Sequence, residues 1–297
     1  MRYGVAIDLH ATRATADEVS WPRVREQALA AEQLGFDLVV LPDHLAYRAG
    51  GEGDYVHADV AVGVRESVTV IAGLAASTTR IGVGHSVINA PYRTPAMLAH
   101  IAATLADMSD GRYSLGIGVG NSFDYDQVGV GADHRVARFE EAVEIVSGML
   151  RNGSVDLEGV HWNASRAELP LGPDADRRPP VVVAAGGPRT MAIAARFGDA
   201  WNGWCPTDPT STAAADLLGL LDQQCAEADR DPSTIGRTFD LGVDPLDLHD
   251  ARGRSIEMLG RLAELGADEI RCYAAAAPSH TARQEAIAAL REMIPES

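Results

Sequence analysis

Polar side chains that could move a proton follow one of the short apolar runs of the sequence. The run that ends at Leu41 leads directly to Asp43 and His44. Histidine is the side chain that ordinarily changes charge near neutral pH, so His44 is a candidate general acid or base. The alternative is a hydrogen-bonded loop histidine without a chemical role.

Two further apolar runs end in glycine-rich polar stretches. Residues 82–89, GVGHSVIN, carry His85 and Ser86, and the glycines there permit close approach of the backbone to a flat ligand. Residues 116–121, GIGVGN, end in Asn121. This stretch lacks the G-x-G-x-x-G spacing and the later acidic residue that mark a dinucleotide-binding unit. A structural role is the alternative for His85.

A fourth cluster follows the run that ends at Ala184. Residues 185–188, AGGP, lead into a helical pattern. Free backbone N–H groups at Gly186 and Gly187, together with the helix dipole, can bind a phosphate without any lysine. The alternative is a tight strand-to-helix turn that needs glycine for its own conformation.

A repeating framework must position these clusters, and the sequence predicts one. Short apolar, β-branched runs alternate with helical periodicities, as in parallel sheets built from βαβ units. Eight such runs indicate an α/β fold that closes into a single (β/α)₈ barrel over residues 1–297, with reactive groups at the carboxyl ends of the strands. The predicted strands are 3–9, 37–41, 81–86, 112–117, 181–184, 200–204, 238–243 and 269–273.

The boundaries of the predicted helices carry their own signals. Ser20 and Pro22 open the first helix, and Gly35 ends it. Residues 152–180 break the alternation with proline, glycine and charge. They predict a surface excursion, with a short hairpin at 153–162.

Composition excludes several classes of function. A formal net charge of −17 argues against nucleic-acid and anionic-membrane partners, because both need a basic face. All 25 basic residues are arginine, which excludes Schiff-base aldolases, pyridoxal-phosphate enzymes and P-loop nucleotidases. The three cysteines form no C-x-x-C pair and indicate a reducing compartment without a zinc site. The start MRYGVAIDL lacks a signal-peptide pattern, so we expect a cytoplasmic protein, and the arginine and alanine bias suggests a bacterial source.

Three segments read together resemble the luciferase-like monooxygenase superfamily, which includes flavin monooxygenases and oxidoreductases that use the deazaflavin coenzyme F420. They are AEQLGFDLVVLPDH (31–44), RIGVGHSVINAPYRTPAMLAHIAATLADMSDGRYSLGIGVGN (80–121) and PPVVVAAGGPRTMAIAARFGDAWNGW (179–204). The resemblance implies a luciferase-like TIM barrel with a cofactor across its mouth, and a non-proline cis peptide at Ser86-Val87. The cofactor-binding residues predicted on this basis are Asp43, His44, His85, Ser86, Val87, Asn121, Ala185, Gly186, Gly187 and Pro188.

Two departures from the family narrow the activity. Relatives that oxidise sugar phosphates carry an acidic residue in the strand-four loop, where this chain has Val119 and Gly120. They also use lysine for the substrate phosphate, and this chain has none. A sugar-phosphate dehydrogenase is therefore disfavoured, and the chain is too short for the insertions of the light-emitting members.

The leading hypothesis is an F420-dependent oxidoreductase in which His44 moves the proton that accompanies hydride transfer to or from a small alcohol, imine or enone. One alternative is an FMN-dependent monooxygenase that receives reduced flavin from a partner reductase. Others are a barrel that binds flavin without catalysis, and a barrel isomerase or lyase for a phosphorylated substrate. The expected partners are a small-molecule substrate, a flavin or F420 reductase, and a second copy in a homodimer.

Overall fold

Eight parallel strands close into a barrel in the computed structural model, which describes residues 1–48, 61–120, 125, 128–243, 251–274 and 279–295. In chain order they are β1 Arg2–Ala6, β2 Leu38–Leu41, β3 Gly82–His85, β4 Tyr113–Gly118, β5 Val181–Ala184, β6 Ala200–Cys205, β7 Gly236–Val243 and β8 Glu269–Ala274. Each strand pairs with the next, and β8 pairs with β1. The predicted barrel is confirmed, and so is the existence of all eight predicted strands.

Helices follow the strands and cover the outside of the barrel. In the described ranges they are α1 Trp21–Leu34, α2 Ser67–Ser77, α3 Pro95–Met108, α4 Arg135–Asn152, α5 Pro188–Phe197, α6 Ala213–Glu227, α7 Ala251–Glu264 and α8 His280–Met293. As predicted, α1 begins after Ser20 and ends at Gly35, which adopts the left-handed conformation at φ 80°. Within these ranges no helix combines the length and the apolar character needed to cross a bilayer.

Short strands and 3₁₀ helices lie between the barrel strands and the α-helices. At the mouth, His10–Ala11, Ala46–Arg48 and Ala61–Val64 form a small antiparallel sheet. Ile88–Asn89 pairs with the end of β4. Short 3₁₀ helices lie at Arg13–Val19, Ala90–Tyr92 and Pro232–Thr234.

The apolar core lies between the barrel and the helices. Val39 of β2, Val83 of β3 and Leu115 of β4 are fully buried there, as are Leu98 of α3 and Val146 of α4. Each such side chain contributes roughly 1.5–3 kcal/mol relative to an exposed position. The strand side chains that point into the barrel form a separate set, and several of them are polar.

The predicted surface excursion contains an antiparallel hairpin, formed by Ser154–Glu158 and Asn163–Glu168. Its second strand lies beyond the predicted range of 153–162. Glu141 of α4 fixes the turn by accepting three backbone N–H bonds from residues 160–162, at 2.7 to 2.9 Å. The hairpin is thereby tied to the helix that follows β4.

Candidate functional site

The carboxyl ends of the barrel strands bring most of the predicted site residues to one mouth. Asp43 and His44 follow β2, residues 85–87 follow or end β3, and residues 185–188 follow β5. All parallel strands of a barrel end on the same side, so these groups share one face of the molecule. Asn121, predicted at the end of β4, lies outside the described residues.

Asp43 is committed to contacts within the protein. Its side chain is buried and accepts hydrogen bonds from the Ser67 hydroxyl at 2.6 Å, the Asn89 backbone N–H at 2.9 Å and the Arg93 guanidinium at 2.7 Å. The carboxylate therefore joins the start of α2 to the loop after β3. It fixes the chain next to His44, while its predicted contact with a cofactor stays a prediction.

A second histidine lies beside His44. The ring centroids of His10 and His44 are 5.8 Å apart, with the planes tilted by 42°. The ring Nδ1 of His10 hydrogen-bonds to the Asp8 carboxylate, and Arg283 of α8 donates to the same carboxylate at 3.3 Å. Burial acts to raise the pKa of Asp8, but His10 and Arg283 hold that pKa below its ordinary value. A charged Asp8 orients His10 towards the mouth, next to the candidate acid or base.

Sequence reasoning left Asp8 and His10 out of the predicted site, because each residue alone is typical of packing at a strand end. Their spacing was the available signal. Residues two apart in extended chain point to the same side, which lets an acid and an imidazole meet.

His85 is enclosed between the barrel and the helices. It is 1% exposed, and its Nδ1 lies 2.9 Å from the hydroxyl of Tyr113. Burial lowers the pKa of His85 to about 4, so the ring is neutral at neutral pH. The structure thus places it beneath the mouth as a neutral buried ring, and its role in cofactor binding stays a prediction.

Ser86 is held from across the barrel. Its hydroxyl donates to Asp240 of β7 at 2.8 Å and accepts from Arg271 of β8 at 3.0 Å. The hydroxyl of Tyr273 donates to the Ser86 carbonyl oxygen at 2.7 Å. Three strands lie between β3 and β7 in each direction around the barrel, so the contact between Ser86 and Asp240 crosses the interior. The peptide between Ser86 and Val87 is cis, as the resemblance implied.

Three buried groups form an ionic layer, defined here as Asp240, Arg271 and Glu269, which the exposed Arg2 joins from the start of β1. Arg271 is 1% exposed and donates to Glu269 at 2.7 Å, while Arg2 pairs with Glu269 at 3.2 Å. Burial raises the pKa of Asp240 to about 6, although Arg271 and Ser86 act to lower it. Barrels of this kind usually fill the same space with branched apolar side chains. None of these residues belongs to the site predicted from the sequence.

Glycines of β4 make room for the segment after β3. A Cβ on Gly116 would overlap the carbonyl oxygen of His85, and one on Gly118 would lie 2.5 Å from a methyl carbon of Val87. Bulkier residues at these positions would push the Ser86–Val87 peptide away from β4. The glycine pattern therefore serves close packing of two neighbouring strand ends.

The turn between β5 and α5 leaves open space in front of a helix. No described atom lies within 4 Å of a Cβ built on Gly186 or Gly187, and neither residue has a left-handed φ. The backbone conformation and the surrounding protein therefore do not account for two glycines, which argues against the alternative of a turn that simply needs them. The space and the N-terminus of α5 fit a phosphate. Ala185 and Pro188 flank it, and the indole of Trp201 anchors the Ala185 carbonyl at 2.9 Å.

Comparison with known protein families gives a match over most of the chain. The sequence profile of the luciferase-like monooxygenase family matches residues 1–245. The F420-dependent glucose-6-phosphate dehydrogenase of Beutenbergia cavernae is 31% identical over 238 residues, which cover 78% of this chain and 66% of the relative. The enzyme of the same name from Intrasporangium calvum is 30% identical over 241 residues, covering 77% and 67%. The matched region thus spans about two thirds of the length of these relatives.

Solved structures share the fold over almost the whole chain. A structure of an F420-dependent secondary alcohol dehydrogenase in complex with an F420–acetone adduct has a TM-score of 0.78 at 20% identity, covering 99% of this chain and 98% of that one. The monooxygenase RslO1 from Streptomyces bottropensis has a TM-score of 0.73 at 19% identity, with the same coverage. At these identities the likeness concerns the fold.

The buried carboxyl of Asp240 predicts a pH-dependent effect of Asp240→Asn on stability. An unfolded carboxyl ionises near pH 4, whereas Asp240 in the fold keeps its proton up to about pH 6. Its favourable contribution is present below pH 4 and is lost as the pH rises through 6. Relative to the wild type, the amide variant should therefore gain ~3 kcal/mol of unfolding free energy between pH 4 and pH 7.

Urea unfolding at four pH values between 4 and 7 measures this difference. The matched control is Thr238→Val, two residues earlier on β7, where a buried hydroxyl bonds to Asn202 at 2.7 Å and does not titrate in this range. A stability difference between Asp240→Asn and wild type that does not change with pH would contradict the assignment.

Proposed function

The chain belongs to the luciferase-like monooxygenase family, and from this premise we propose that it is an oxidoreductase that uses coenzyme F420 for hydride transfer to or from a small organic substrate. Relatives at 30–31% identity are named F420-dependent dehydrogenases. The single observation in this chain that carries the proposal is the open turn at Gly186 and Gly187, where a ligand can approach the backbone at the N-terminus of α5.

The residues around the mouth fit a cofactor of this kind. Gly186 and the first turn of α5 would hold its phosphate through backbone N–H groups, beside Gly187, whose own N–H donates to Thr190 Oγ1 at 3.3 Å. The Ser86–Val87 peptide would lie against its ring, since Val87 is partly exposed and Ser86 is fixed from below. Bound F420 supplies a ring that accepts or donates a hydride, and the protein supplies orientation and proton transfer.

His44 is the proposed proton-transfer residue. Asp43 is locked by three neighbours and so fixes the backbone that carries His44. His10, oriented by Asp8, lies beside the His44 ring. It is a second imidazole that could exchange a proton at the same place. When the substrate is an alcohol, His44 takes the hydroxyl proton as the hydride leaves carbon; in the reverse direction it returns that proton.

The proposed substrate is a small alcohol, imine or enone. The curated relatives are named for glucose 6-phosphate, but this chain has no lysine with which to bind a sugar phosphate as the resemblance implies for those relatives. We also propose that a reductase regenerates the reduced cofactor and that two copies of the chain form a dimer, as the resemblance implies.

Titration of the purified protein with oxidised and reduced F420 and with FMN tests the cofactor. We expect micromolar affinity for F420, and a change in F420 absorbance when an alcohol, imine or enone from a substrate panel is added. Binding of reduced FMN with oxygen consumption, and weak binding of F420, would favour the monooxygenase alternative. Micromolar binding of neither would show the proposal to be wrong.

The variant His44→Ala tests the proton-transfer role. Loss of a general acid or base should lower kcat on the order of 10²-fold or more, while the Kd of the cofactor stays within about threefold. His100→Ala, an exposed histidine on α3, is the matched control and should leave both values unchanged. An unaltered kcat in His44→Ala would assign His44 a structural role.

The variant Gly187→Val tests the phosphate turn. A branched side chain would fill the open space in front of α5, so cofactor affinity should fall at least about tenfold, equivalent to ~1.4 kcal/mol. Gly219→Val is the control, because Gly219 lies on exposed α6 and is equally unobstructed. Calorimetric titration gives both affinities, and tight binding by Gly187→Val would place the phosphate elsewhere.

A further inference from the structure

Every polar group of Ser86 has a partner that fixes it. Its N–H donates to the carbonyl of Leu41 on β2 at 3.0 Å. Its hydroxyl lies between Asp240 and Arg271, and its carbonyl oxygen accepts from Tyr273. The residue at the end of β3 is thus held by three other strands of the barrel. Few alternative positions remain for the peptide that follows.

The groups that provide these contacts lie close to the mouth. Asp240 pairs in register with Trp204 of β6, and Tyr273 lies edge-on to the Trp204 ring at 5.6 Å between centroids. Trp204 itself is 58% exposed. Asp240 therefore lies at the level of a residue that reaches the surface.

Arg271 makes its direct ion pair with Glu269, at 2.7 Å, and is linked to Asp240 through the Ser86 hydroxyl. A second buried carboxylate adds a desolvation cost, and replacing buried ionic groups by apolar ones is often neutral or stabilising. A buried charged group that carries such a desolvation cost is a candidate for a functional role. The hydrogen bonds of Asp240 point to that role, because Asp240 accepts from the Ser86 hydroxyl as well as from Asn202 and Tyr273.

We propose that Asp240 is a positioning residue for the cofactor: acting through the Ser86 hydroxyl, it holds the Ser86–Val87 peptide as the seat of the bound ring. The proposal rests on the proposed function and extends it to a residue that does not touch the ring. Arg271 and Tyr273 complete the same support from β8. A merely structural Asp240 would instead stabilise the barrel as a whole and leave cofactor binding unchanged.

A double-mutant cycle between Asp240→Ala and Ser86→Ala separates these two roles. Each single variant should weaken cofactor affinity about tenfold or more, and the double variant should be no weaker than the weaker single one. The conservative Asp240→Asn can still accept from Ser86 and should recover affinity to within about threefold of wild type. The cofactor Kd, the visible circular dichroism of the bound ring and the separate values of kcat and KM are measured.

The matched control is Ser147→Ala. This buried residue of α4 donates to the Phe197 carbonyl at 3.1 Å, outside the barrel interior, so its loss also removes a buried polar contact. We expect a lower thermal midpoint in this control, with the cofactor Kd and the circular dichroism within twofold of wild type. The control thereby separates loss of stability from loss of positioning.

Several results would overturn the proposal. Additive effects in the cycle would show that Asp240 does not act through Ser86, and wild-type affinity in Asp240→Ala would show that it does not position the ring. If Asp240→Ala does not fold, the cycle is run with Asp240→Asn, whose smaller loss of affinity must vanish in the Ser86→Ala background. A loss that persists there overturns the proposal equally.

The outcome for the proposed function is read separately, from the wild-type protein. Binding of FMN alone would refute F420 as the cofactor, and the cycle would then be measured with FMN. Binding of neither cofactor by the wild type would refute both conclusions, since there would be no ring for Ser86 to seat. Tight wild-type binding of F420 with an unaffected Asp240→Ala would refute only the positioning role.

Discussion

Closing eight parallel strands into a barrel leaves a central space that side chains must fill, and here two neighbouring strands fill part of it with ionised groups. Arg271 and Asp240 can remain buried only because each has hydrogen-bonding partners, since an unpaired charge in the same position would cost several kcal/mol. The partner that Asp240 and Arg271 share is Ser86, on the opposite wall. The position of the β3 end therefore depends on charge pairing inside the barrel.

The remaining walls are shaped to accept that arrangement. Gly116 and Gly118 of β4 lack side chains where the chain after β3 approaches most closely, so the segment fits between β4 and the polar groups from β7 and β8. On its other side Asp43 ties the same segment to β2 and α2, through the Asn89 backbone and Arg93. Residues 85–89 are thus clamped from three directions, which is the preorganisation that a site for a rigid planar ligand requires.

Local patterns in the sequence predict the fold because each strand and helix carries its own signal. Strand β5, the start and end of α1 and the first strand of the hairpin after α4 all follow from patterns within about 20 residues. The ionic layer could not be found that way, since Ser86 lies 154 positions from Asp240 in the chain and 185 from Arg271. A strand that faces core on one side and a polar interior on the other also gives no pattern that distinguishes it from a strand facing solvent. The spacing of Asp8 and His10 predicts that these two side chains can meet. Their position beside the His44 ring, however, depends on the folded barrel.

The mouth divides two chemical tasks between different kinds of group. In the proposed function, anion recognition at the Gly186–Gly187 turn relies on backbone N–H groups and a helix terminus, which do not titrate and need no lysine in a chain of net charge −17. Because charges beyond about 10 Å are screened at moderate salt, the overall acidity of the protein acts weakly on such a local site. The same proposal assigns proton transfer to the histidines after β1 and β2, on another part of the rim. The groups proposed to bind the anion are therefore separate in space from those proposed to move the proton, so a substitution in one set leaves the other set in place.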